Sequence, residues 1–507
     1  MSMGGLGQSG VAAVKWSAVA TAARFALQLL AQVVLARTLG PDIFGVFSIG
    51  MVVLTFSAFV SGFGFSWSLL QRPALQDEDI RFAWTWQLIV GVLTMLAVYL
   101  LAPALAEYFR EPRAQSVIEW LSLACLLSAA AAPATYLMQR DLNFRAVGLV
   151  QVGSYTAGYV AVGMPMALLG CGTASLVAAW LVQAVVLLIA SYALKPHALR
   201  PLFWYPEAAS SMGTGRDVFF TNIVNWLLSN LDRVLVGRLL NAHALGLYNM
   251  AYNLATLPNT LLLGALQPAF MAAGARLQNE QQRLGRAYLQ MVSTVFVLGL
   301  PAFVFLALTS NDLVLLLYGP QWSEAAWVLS LLFLGMPAYV VWGLSTPILW
   351  NTGRKHYEYA LQLPLVGVGA LGFYLFAGQG IQAAASVAAL LLVLRALVIA
   401  AAAFRALRLR WTIVLPHVAR GLMLSALCCA GVLSGQLAFG RFEMPLLSLT
   451  ISALTTSGLL ALLVTLRPQI LGDQTAAMVL RFFPRLASVL SRAIPAPLPE
   501  SFGEQRL

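Results

Sequence analysis

Charged side chains stand within stretches that are otherwise apolar enough to cross a membrane. Asp232 and Arg233 lie in the apolar stretch 222–240, and Arg24 lies near the middle of the stretch 14–36. A charge facing lipid costs at least about 2.5 kcal/mol at the centre of a membrane helix, so these side chains must face protein or water. Asp232 and Arg233 point about 100° apart on a helix, so we expect each to have its own partner across a cavity. A guanidinium in such a place can bind phosphate oxygens through two parallel hydrogen bonds.

The polar residues near these charges share one side of each predicted helix. An arc of roughly 100° on the helix at 222–240 contains Asn222, Asn225, Ser229, Asp232 and Arg233. An arc of roughly 80° on the helix at 14–36 contains Ser17, Thr21, Arg24, Gln28 and Gln32. Each helix therefore has one polar face and is apolar elsewhere.

The helix that begins at residue 245 has a third polar arc. It spans roughly 80° and contains Tyr248, Tyr252, Thr256 and Asn259. Such side chains can stack on and hydrogen-bond sugars, but they also join helices within a membrane, and both interpretations stay open. No catalytic residues are predicted. The candidate substrate-binding residues are Arg24, Gln28, Asn222, Asn225, Asp232, Arg233, Tyr248, Tyr252 and Asn259.

Two roles are open for Arg24. It could bind an anionic group such as a diphosphate, or it could neutralise a carboxylate such as Asp232. Arg395 lies nearer the end of its span, where a long side chain can reach the headgroups. Glu119 and Glu358 also lie near span ends, and we interpret them as residues of the membrane interface.

A stretch near the amino terminus is repeated 201 residues later. Residues 36–50 align without gaps on residues 237–251, and the alignment matches Arg37 to Arg238 and Gly45 to Gly246. A duplicated pair of polar-faced helices is typical of transporters built from repeats. We therefore expect Gly45 and Gly246 to occupy equivalent places in a pseudo-twofold arrangement.

The composition is that of a polytopic membrane protein. Hydrophobic residues make up 60% of the chain and charged residues only 10%, with a mean hydropathy of +0.81, whereas soluble domains have roughly 25% charged residues. At about 20 apolar residues per crossing, the sequence predicts fourteen spans, in blocks of six, six and two. They lie near 14–36, 43–69, 82–103, 116–138, 146–169, 171–194, 218–240, 245–271, 288–309, 325–350, 359–377, 381–403, 418–439 and 444–466.

The blocks predict four regions. Residues 1–200 form an N-terminal lobe and 201–410 a C-terminal lobe, followed by a helix pair in 411–466 and a tail in 467–507. The connector 195–216 is basic and aromatic, which fits either a segment at the lipid headgroups or a solvated linker.

The basic residues are distributed unevenly between the two sides of the membrane. Of the 30 Lys and Arg residues, 22 lie in the termini and in the segments on their side, five lie on the opposite side and three lie inside spans. Because cytoplasmic segments are enriched in Lys and Arg, both termini are predicted to be cytoplasmic. The net charge of +11 therefore reflects topology, and no nucleic-acid partner is predicted.

The sequence gives no sign of an enzyme, a nucleotide site or a metal site. The predicted extracytoplasmic loops are short, and neither a Walker motif nor an HExxH motif is present. The four cysteines lie in or beside apolar segments without metal-ligand spacing. We predict no cofactor, while one or two buried carboxylates leave coupling to Na⁺ or H⁺ open.

Motifs in both halves resemble one transporter family. The sequence from Leu35 to Gly45, with Gly62, Gly64 and Gln71-Arg72 after it, is similar to the opening of the Wzx-type polysaccharide exporters. The sequences Leu231-Asp-Arg-Val-Leu-Val-Gly237, Leu245-Gly-Leu-Tyr-Asn-Met-Ala251-Tyr252 and Leu257-Pro258 resemble the signature of the second half of these exporters. The family belongs to the multidrug/oligosaccharidyl-lipid/polysaccharide exporter superfamily.

The resemblance implies a fold, an activity and partners. The fold would be all-α, with two pseudo-symmetric six-helix lobes around a central cavity and an additional C-terminal helix pair. The activity would be translocation of undecaprenyl-diphosphate-linked oligosaccharide units from the cytoplasmic to the outer leaflet of the bacterial inner membrane, for exopolysaccharide, capsule or O-antigen synthesis. Basic cavity residues carry over to Arg24 and Arg233. The implied partners are the polyprenyl-diphosphate-linked oligosaccharide, membrane lipid, and the polymerase and glycosyltransferase machinery.

Two other classes of function compete. A small-molecule/ion antiporter of the same superfamily would have the same spans, but would typically place acidic residues in the cavity to hold cationic drugs. Here the residues expected to be buried within spans are three arginines and one carboxylate, Asp232. A membrane glycosyltransferase or polymerase should have long extracytoplasmic loops with catalytic residues, and the loops here are too short.

Overall fold

The computed structural model of the chain describes residues 3–61, 69, 75–206, 216–276, 280–354, 356–439 and 444–466. Several features singled out in the sequence lie outside the described residues. These are the motif residues Gly62, Gly64, Gln71 and Arg72, the connector residues 207–215, and the tail 467–507.

All regular elements of the described residues are helices. The α-helices are α1 (Met3–Ser61), α2 (Asp77–Tyr108), α3 (Ala114–Arg140), α4 (Phe144–Tyr155), α5 (Met164–Leu168), α6 (Thr173–Leu194), α7 (Arg216–Leu239), α8 (Ala242–Arg276), α9 (Gln281–Thr294), α10 (Leu300–Leu308), α11 (Ser310–Leu317), α12 (Ala325–Asn351), α13 (His356–Phe376), α14 (Ile381–Ala406), α15 (Leu415–Phe439) and α16 (Pro445–Leu466). Turns of π-helix at Thr156–Gly163 and Val295–Gly299 join α4 to α5 and α9 to α10. The predicted all-α polytopic fold is confirmed.

Ten helices of the described chain are long and apolar enough to cross a membrane. Three further helices are not among these ten. The helix over 144–168 contains a π-helical turn, and α7 and α8 carry the polar residues that the sequence placed on one face. These three have crossing length, since even the 24 residues of α7 extend about 36 Å. Because α1 also contains two crossings, joined at a kink, the total agrees with the fourteen spans expected.

The kink in α1 arises from a Gly-Pro pair. Gly40 has φ 75°, in the left-handed region where a side chain is unfavourable, and Pro41 lacks the amide hydrogen that would continue the helix. The chain therefore turns between a first segment that carries Arg24 and a second segment that starts at Pro41. The carbonyl of Ala36, just before the kink, accepts hydrogen bonds from the Trp322 indole at 2.9 Å and the Gln321 amide at 2.8 Å.

The second segment of α1 crosses the start of α8 with reciprocal backbone contacts. A Cβ atom on Gly45 would lie 1.7 Å from the carbonyl oxygen of Ala242, and one on Gly246 would lie 2.0 Å from that of Pro41. In the sequence repeat Pro41 is equivalent to Ala242 and Gly45 to Gly246. Each contact is thus the counterpart of the other around a local pseudo-twofold axis.

Two further pairs of equivalent residues meet across this axis. The Asn249 amide donates to the Ser48 hydroxyl at 2.9 Å, and His243 Nδ1 lies 3.3 Å from Asp42 Oδ2. Both pairs are separated by the 201 residues of the repeat. The pseudo-twofold arrangement expected from the sequence is confirmed for this helix pair.

The described residues form two compact units. The first consists of residues within 1–250, 317–322 and 370–384, and the second of residues within 251–316, 323–369 and 385–507. A buried cluster in the second unit packs α9 against α12 and α14, and the hydroxyls of Tyr288 and Ser345 meet within it at 2.7 Å. The lobe boundaries predicted from the sequence stay a prediction.

The first part of the connector packs on the start of α2. The Leu202 amide donates to the Thr85 hydroxyl at 2.9 Å, and the Trp86 indole donates to the carbonyl of Phe203 at 3.0 Å. The Tyr205 hydroxyl donates to the buried Asp79 carboxylate. Residues 202–205 are therefore attached to the protein, and they are not a solvated linker.

Candidate functional site

Arg24 projects from the first segment of α1 toward α4. Its Nη1 donates to the amide oxygen of Gln151 at 3.2 Å, and the side chain is half-buried. Among the described residues no carboxylate lies within ion-pair distance of Arg24. A neutral amide orients the guanidinium without neutralising it, so that its positive charge remains available to an anion.

Asp232 and Tyr248 hold α7 and α8 together. The Tyr248 hydroxyl donates to Asp232 Oδ2 at 2.7 Å, and the backbone amide of Arg233 donates to Oδ1 at 2.8 Å. Tyr248 is fully buried and Asp232 is 6% exposed. The sequence left open whether Arg24 neutralises Asp232; the structure shows that these two residues do not pair.

Arg233 points along a different direction from Asp232. Its Nη1 donates to the amide oxygen of Asn230, one helical turn earlier, at 3.2 Å. Asn230 is buried, and the sequence analysis missed it because it lies outside the arc used to choose polar residues. Asp232 and Arg233 thus contact different side chains, Tyr248 on the next helix and Asn230 on the same helix. The expectation that their partners lie across a cavity stays a prediction.

The other predicted residues occupy different environments. In the first unit Gln28 and Asn225 are half-buried, whereas Asn222 is exposed. Tyr252 and Asn259 belong to the second unit, where both are buried and the Asn259 amide lies 2.8 Å from the sulfur of Met336. The contacts of Tyr248 and Asn259 are of the kind that joins helices.

The polar residues of the first unit are suited to binding an anion. Two arginines within membrane-spanning helices are each oriented by a neutral amide, Arg24 by Gln151 and Arg233 by Asn230. Fixed guanidinium groups in a medium of low dielectric constant bind phosphate oxygens strongly and specifically. In the described residues no group of three or more His, Cys, Asp or Glu side chains could hold a metal ion.

A second charged cluster lies in the other unit, and the sequence analysis misjudged it. Arg395 is 2% exposed, its Nε donates to the Gln362 amide oxygen at 2.5 Å, and its guanidinium lies 3.7 Å from the centre of the Trp342 ring. The expectation that Arg395 reaches the headgroups is wrong, because an amide and an aromatic face satisfy the cation inside the protein.

Glu358 is also buried and does not mark the membrane interface as predicted. It is 1% exposed, and its Oε2 accepts a hydrogen bond from the Trp350 indole at 2.5 Å. Its backbone carbonyl accepts from the Gln362 amide at 3.0 Å. Glu358 and Gln362 are four residues apart in α13, and this spacing in the sequence indicates that the two polar residues lie on one face of the helix.

We expect Arg395→Leu to lower the free energy of unfolding by about 1–3 kcal/mol, because Gln362 then loses a charged donor in a buried site. Thermal unfolding of the detergent-purified protein measures this. Arg405→Leu is the matched control, since Arg405 lies on the same helix and is exposed. Equal melting temperatures for the two variants would show that the Arg395 cluster contributes no stability.

Similarity to known proteins identifies the family. The profile of the family described as Polysaccharide biosynthesis protein matches residues 34–327, which is more than half of the chain. The chain belongs to this family. The match includes α7, α8 and the pseudo-twofold contact, and it confirms the resemblance to polysaccharide exporters that the motifs indicated.

Two relatives of the chain have names that refer to polysaccharide synthesis. The lipopolysaccharide biosynthesis protein WzxC of Escherichia coli (strain K12) is 27% identical over 333 residues, which are 64% of this chain and 66% of WzxC. The succinoglycan biosynthesis transport protein ExoT of Rhizobium meliloti (strain 1021) is 25% identical over 372 residues, which are 73% of this chain and 75% of ExoT. The match thus spans just under two thirds of WzxC and three quarters of ExoT.

Solved structures with the same fold are transporters. The lipid II flippase MurJ in an inward closed conformation superposes with a TM-score of 0.70 at 12% identity, over 88% of this chain and 98% of MurJ. An inward-facing multidrug resistance transporter of the MATE family and MOP superfamily gives 0.61 at 13% identity, over 76% of this chain and 94% of that structure. At these identities the likeness concerns the fold alone.

Proposed function

We propose that this polysaccharide biosynthesis protein is a flippase. Its substrate is an undecaprenyl-diphosphate-linked oligosaccharide unit, which it moves from the cytoplasmic to the outer leaflet of the bacterial inner membrane by alternating access. The observation that carries the proposal is the Arg24 guanidinium, which lies inside a membrane helix and is oriented by the neutral amide of Gln151. Family membership and the names of WzxC and ExoT, which refer to polysaccharide synthesis, support this substrate class, and the fold shared with the lipid II flippase MurJ is compatible with it.

Translocation of an anionic headgroup gives this cation a purpose. A diphosphate must leave water to cross the membrane, and a fixed guanidinium offers two parallel hydrogen bonds in exchange for lost hydration. Arg233, held by Asn230 and next to the Asp232 carboxylate, provides a second guanidinium. The sugar units would then follow through hydrogen bonds with amide and hydroxyl groups such as those of Gln28 and Asn225.

The second candidate is a small-molecule/ion antiporter, as the MATE-like fold allows. A cationic drug needs an accessible carboxylate, but Asp232 is buried against the Tyr248 hydroxyl. The charge of Arg24 would repel such a drug.

The proposed flippase would use no cofactor and no ATP of its own, and an ion gradient of Na⁺ or H⁺ would supply the energy.

Deletion of the gene tests the function directly. We expect the deletion strain to lose surface polysaccharide and to accumulate the lipid-linked unit on the cytoplasmic leaflet, with both defects reversed by the wild-type gene. We also expect neighbouring genes to encode glycosyltransferases, which would make the substrate, and a polymerase, which would consume the product. Normal polysaccharide together with increased sensitivity to cationic drugs would instead support the antiporter.

The proposed orientation can be tested with a native cysteine. Cys171 is exposed in the turn between α5 and α6, which we propose to lie outside the cytoplasm, whereas Cys125 is buried. We expect a membrane-impermeant maleimide to label wild-type spheroplasts and to fail with Cys171→Ser. Trp204→Cys in the Cys171→Ser background should react only after permeabilisation, since the connector is proposed to be cytoplasmic. Reaction of Trp204→Cys in intact spheroplasts would contradict the proposed orientation and show that the connector lies outside.

A further inference from the structure

An apolar groove lies within the first unit, between the second segment of α1, α2 and α7. Its volume is about 710 Å³, within the range of roughly 300–1,000 Å³ usual for small-molecule sites. Phe56 and Trp226 form part of its wall, with ring centroids 4.9 Å apart. None of the predicted substrate-binding residues lines it.

The wall of the groove suits hydrocarbon and excludes sugar. No charged side chain lines it, and its polar side chains are few. The Ser57 hydroxyl, one of these, donates to the carbonyl of Val53 in its own helix at 2.8 Å. A sugar placed here would lose its hydrogen bonds to water without replacing them, whereas an apolar chain would lose none.

The groove is also long in the direction of the α2 axis. Its lining residues on α2 begin at Val90 and extend to Phe109, at the carboxyl end of the helix. Nineteen residues of helix rise about 28 Å, which is close to the hydrocarbon thickness of a bilayer, about 30 Å. The shape therefore fits an extended chain aligned along the helix.

A cation lies beside one end of the groove, outside its lining, and has an unfilled hydrogen-bonding position. Tyr108 lines this end, and the Arg238 guanidinium carbon lies 5.1 Å from the centre of its ring. Arg238 Nη1 is shielded from solvent and has no hydrogen-bond partner in the part of the chain that the structure describes. By contrast, Arg113 in the adjoining loop donates to Glu111 at 2.7 and 2.9 Å, and it lowers the pKa of that carboxyl.

We infer that this groove holds the part of the polyprenyl chain next to the headgroup of the lipid-linked substrate, with a phosphate of that headgroup bound by Arg238. The inference rests on the proposed function and adds to it a binding site for the lipid part of the substrate. The combination of a long apolar wall and a cation at one end matches a polyprenyl diphosphate, which is a hydrocarbon with a strongly anionic end. Because that end of α2 is the proposed outer side, the site would hold the carrier after translocation.

Photolabelling of the full-length purified protein tests the site. The probe is geranylgeranyl diphosphate carrying a diazirine on its prenyl chain, and labelled peptides are identified by mass spectrometry. We expect label on the groove segments of α2 and α7, competed by unlabelled geranylgeranyl diphosphate and much less by phosphatidylglycerol. Equal competition by phosphatidylglycerol would mean that bulk lipid fills the groove, and it would overturn the inference.

Two matched pairs of variants examine the chain and the headgroup separately. Ala97→Trp fills the groove and should reduce labelling about tenfold, which is about 1.4 kcal/mol of binding. Leu100→Trp, on an exposed position of α2 outside the lining, should not change it.

Arg238→Ala should weaken labelling by the diphosphate probe about tenfold through loss of a charge-assisted hydrogen bond. It should leave labelling by a geranylgeraniol probe unchanged, and Arg113→Ala should affect neither probe.

The outcomes separate this inference from the proposed function. Label on other helices, in a protein whose deletion abolishes surface polysaccharide, would overturn the groove site alone. Label in the groove, in a protein whose deletion leaves polysaccharide intact, would confirm prenyl binding and contradict the flippase. Unchanged labelling in both Ala97→Trp and Arg238→Ala would also overturn the site.

Discussion

Replacing Gly246 by alanine should cost more than about 3 kcal/mol of the free energy of unfolding, above the usual range for overpacked sites. The new Cβ would lie 2.0 Å from the carbonyl oxygen of Pro41, and this atom belongs to the backbone, so no side-chain rotation can relieve the clash. The helix crossing itself must open. Gly45→Ala should have an effect at least as large, because its Cβ would lie 1.7 Å from the Ala242 oxygen.

The control for this prediction lies on the same helix. A Cβ on Gly264 meets no atom within 4 Å, so Gly264→Ala should be neutral or raise stability by up to about 1 kcal/mol through its better helix propensity. Thermal unfolding in detergent, followed by tryptophan fluorescence, compares the three variants. Similar melting temperatures for Gly246→Ala and Gly264→Ala would contradict the reported crossing of α1 and α8.

The lengths of the apolar runs in the sequence predicted most of the helices, for a physical reason. The bilayer imposes a minimum length on each span, so apolar runs identify most helices without knowledge of their neighbours. The repeat aligned Gly45 with Gly246, and the structure places both at one close crossing. The span in α7 was predicted as an apolar stretch whose charges share one face of a helix, and a stricter hydropathy criterion does not select it.

Partners of polar groups were harder to predict. Gln151 lies on α4, 127 residues from Arg24, and nothing in the spacing of either residue indicates that they meet. Arg395 was placed at the headgroups from its position in the span, although Gln362 and Trp342 provide an internal site for it. Such contacts depend on how helices pack, and helical periodicity describes only the faces of a single helix.

Loss of the Arg24 cation should abolish export. Arg24→Ala removes a bidentate phosphate contact whose two charge-assisted hydrogen bonds contribute about 1.5–3 kcal/mol each, so we expect export to fall at least a hundredfold. Arg24→Lys keeps the charge but loses the fork and should retain partial activity. Arg233→Ala should also abolish export. Restored surface polysaccharide in a deletion strain is the readout, with protein level in the membrane as the control.

A change at Gln151 distinguishes substrate binding from a structural role for Arg24. Gln151→Glu replaces the amide with a carboxylate and neutralises Arg24 without removing it, so export should fall while the melting temperature is unchanged or higher. If Arg24 were only structural, this variant would export normally. Adding Asp232→Ala to Arg24→Ala should not restore export, because these two residues do not pair.

Reconstituted translocation tests the central claim most directly. Purified protein is placed in vesicles that contain a polyprenyl-diphosphate-linked oligosaccharide in both leaflets, and an external glycosidase measures how much of the sugar reaches the outside. Wild-type vesicles should expose nearly all of it, whereas Arg24→Ala and Gln151→Glu vesicles should expose only the fraction initially in the outer leaflet. Wild-type vesicles that expose no more sugar than protein-free vesicles, under gradients of either Na⁺ or H⁺, would contradict the account.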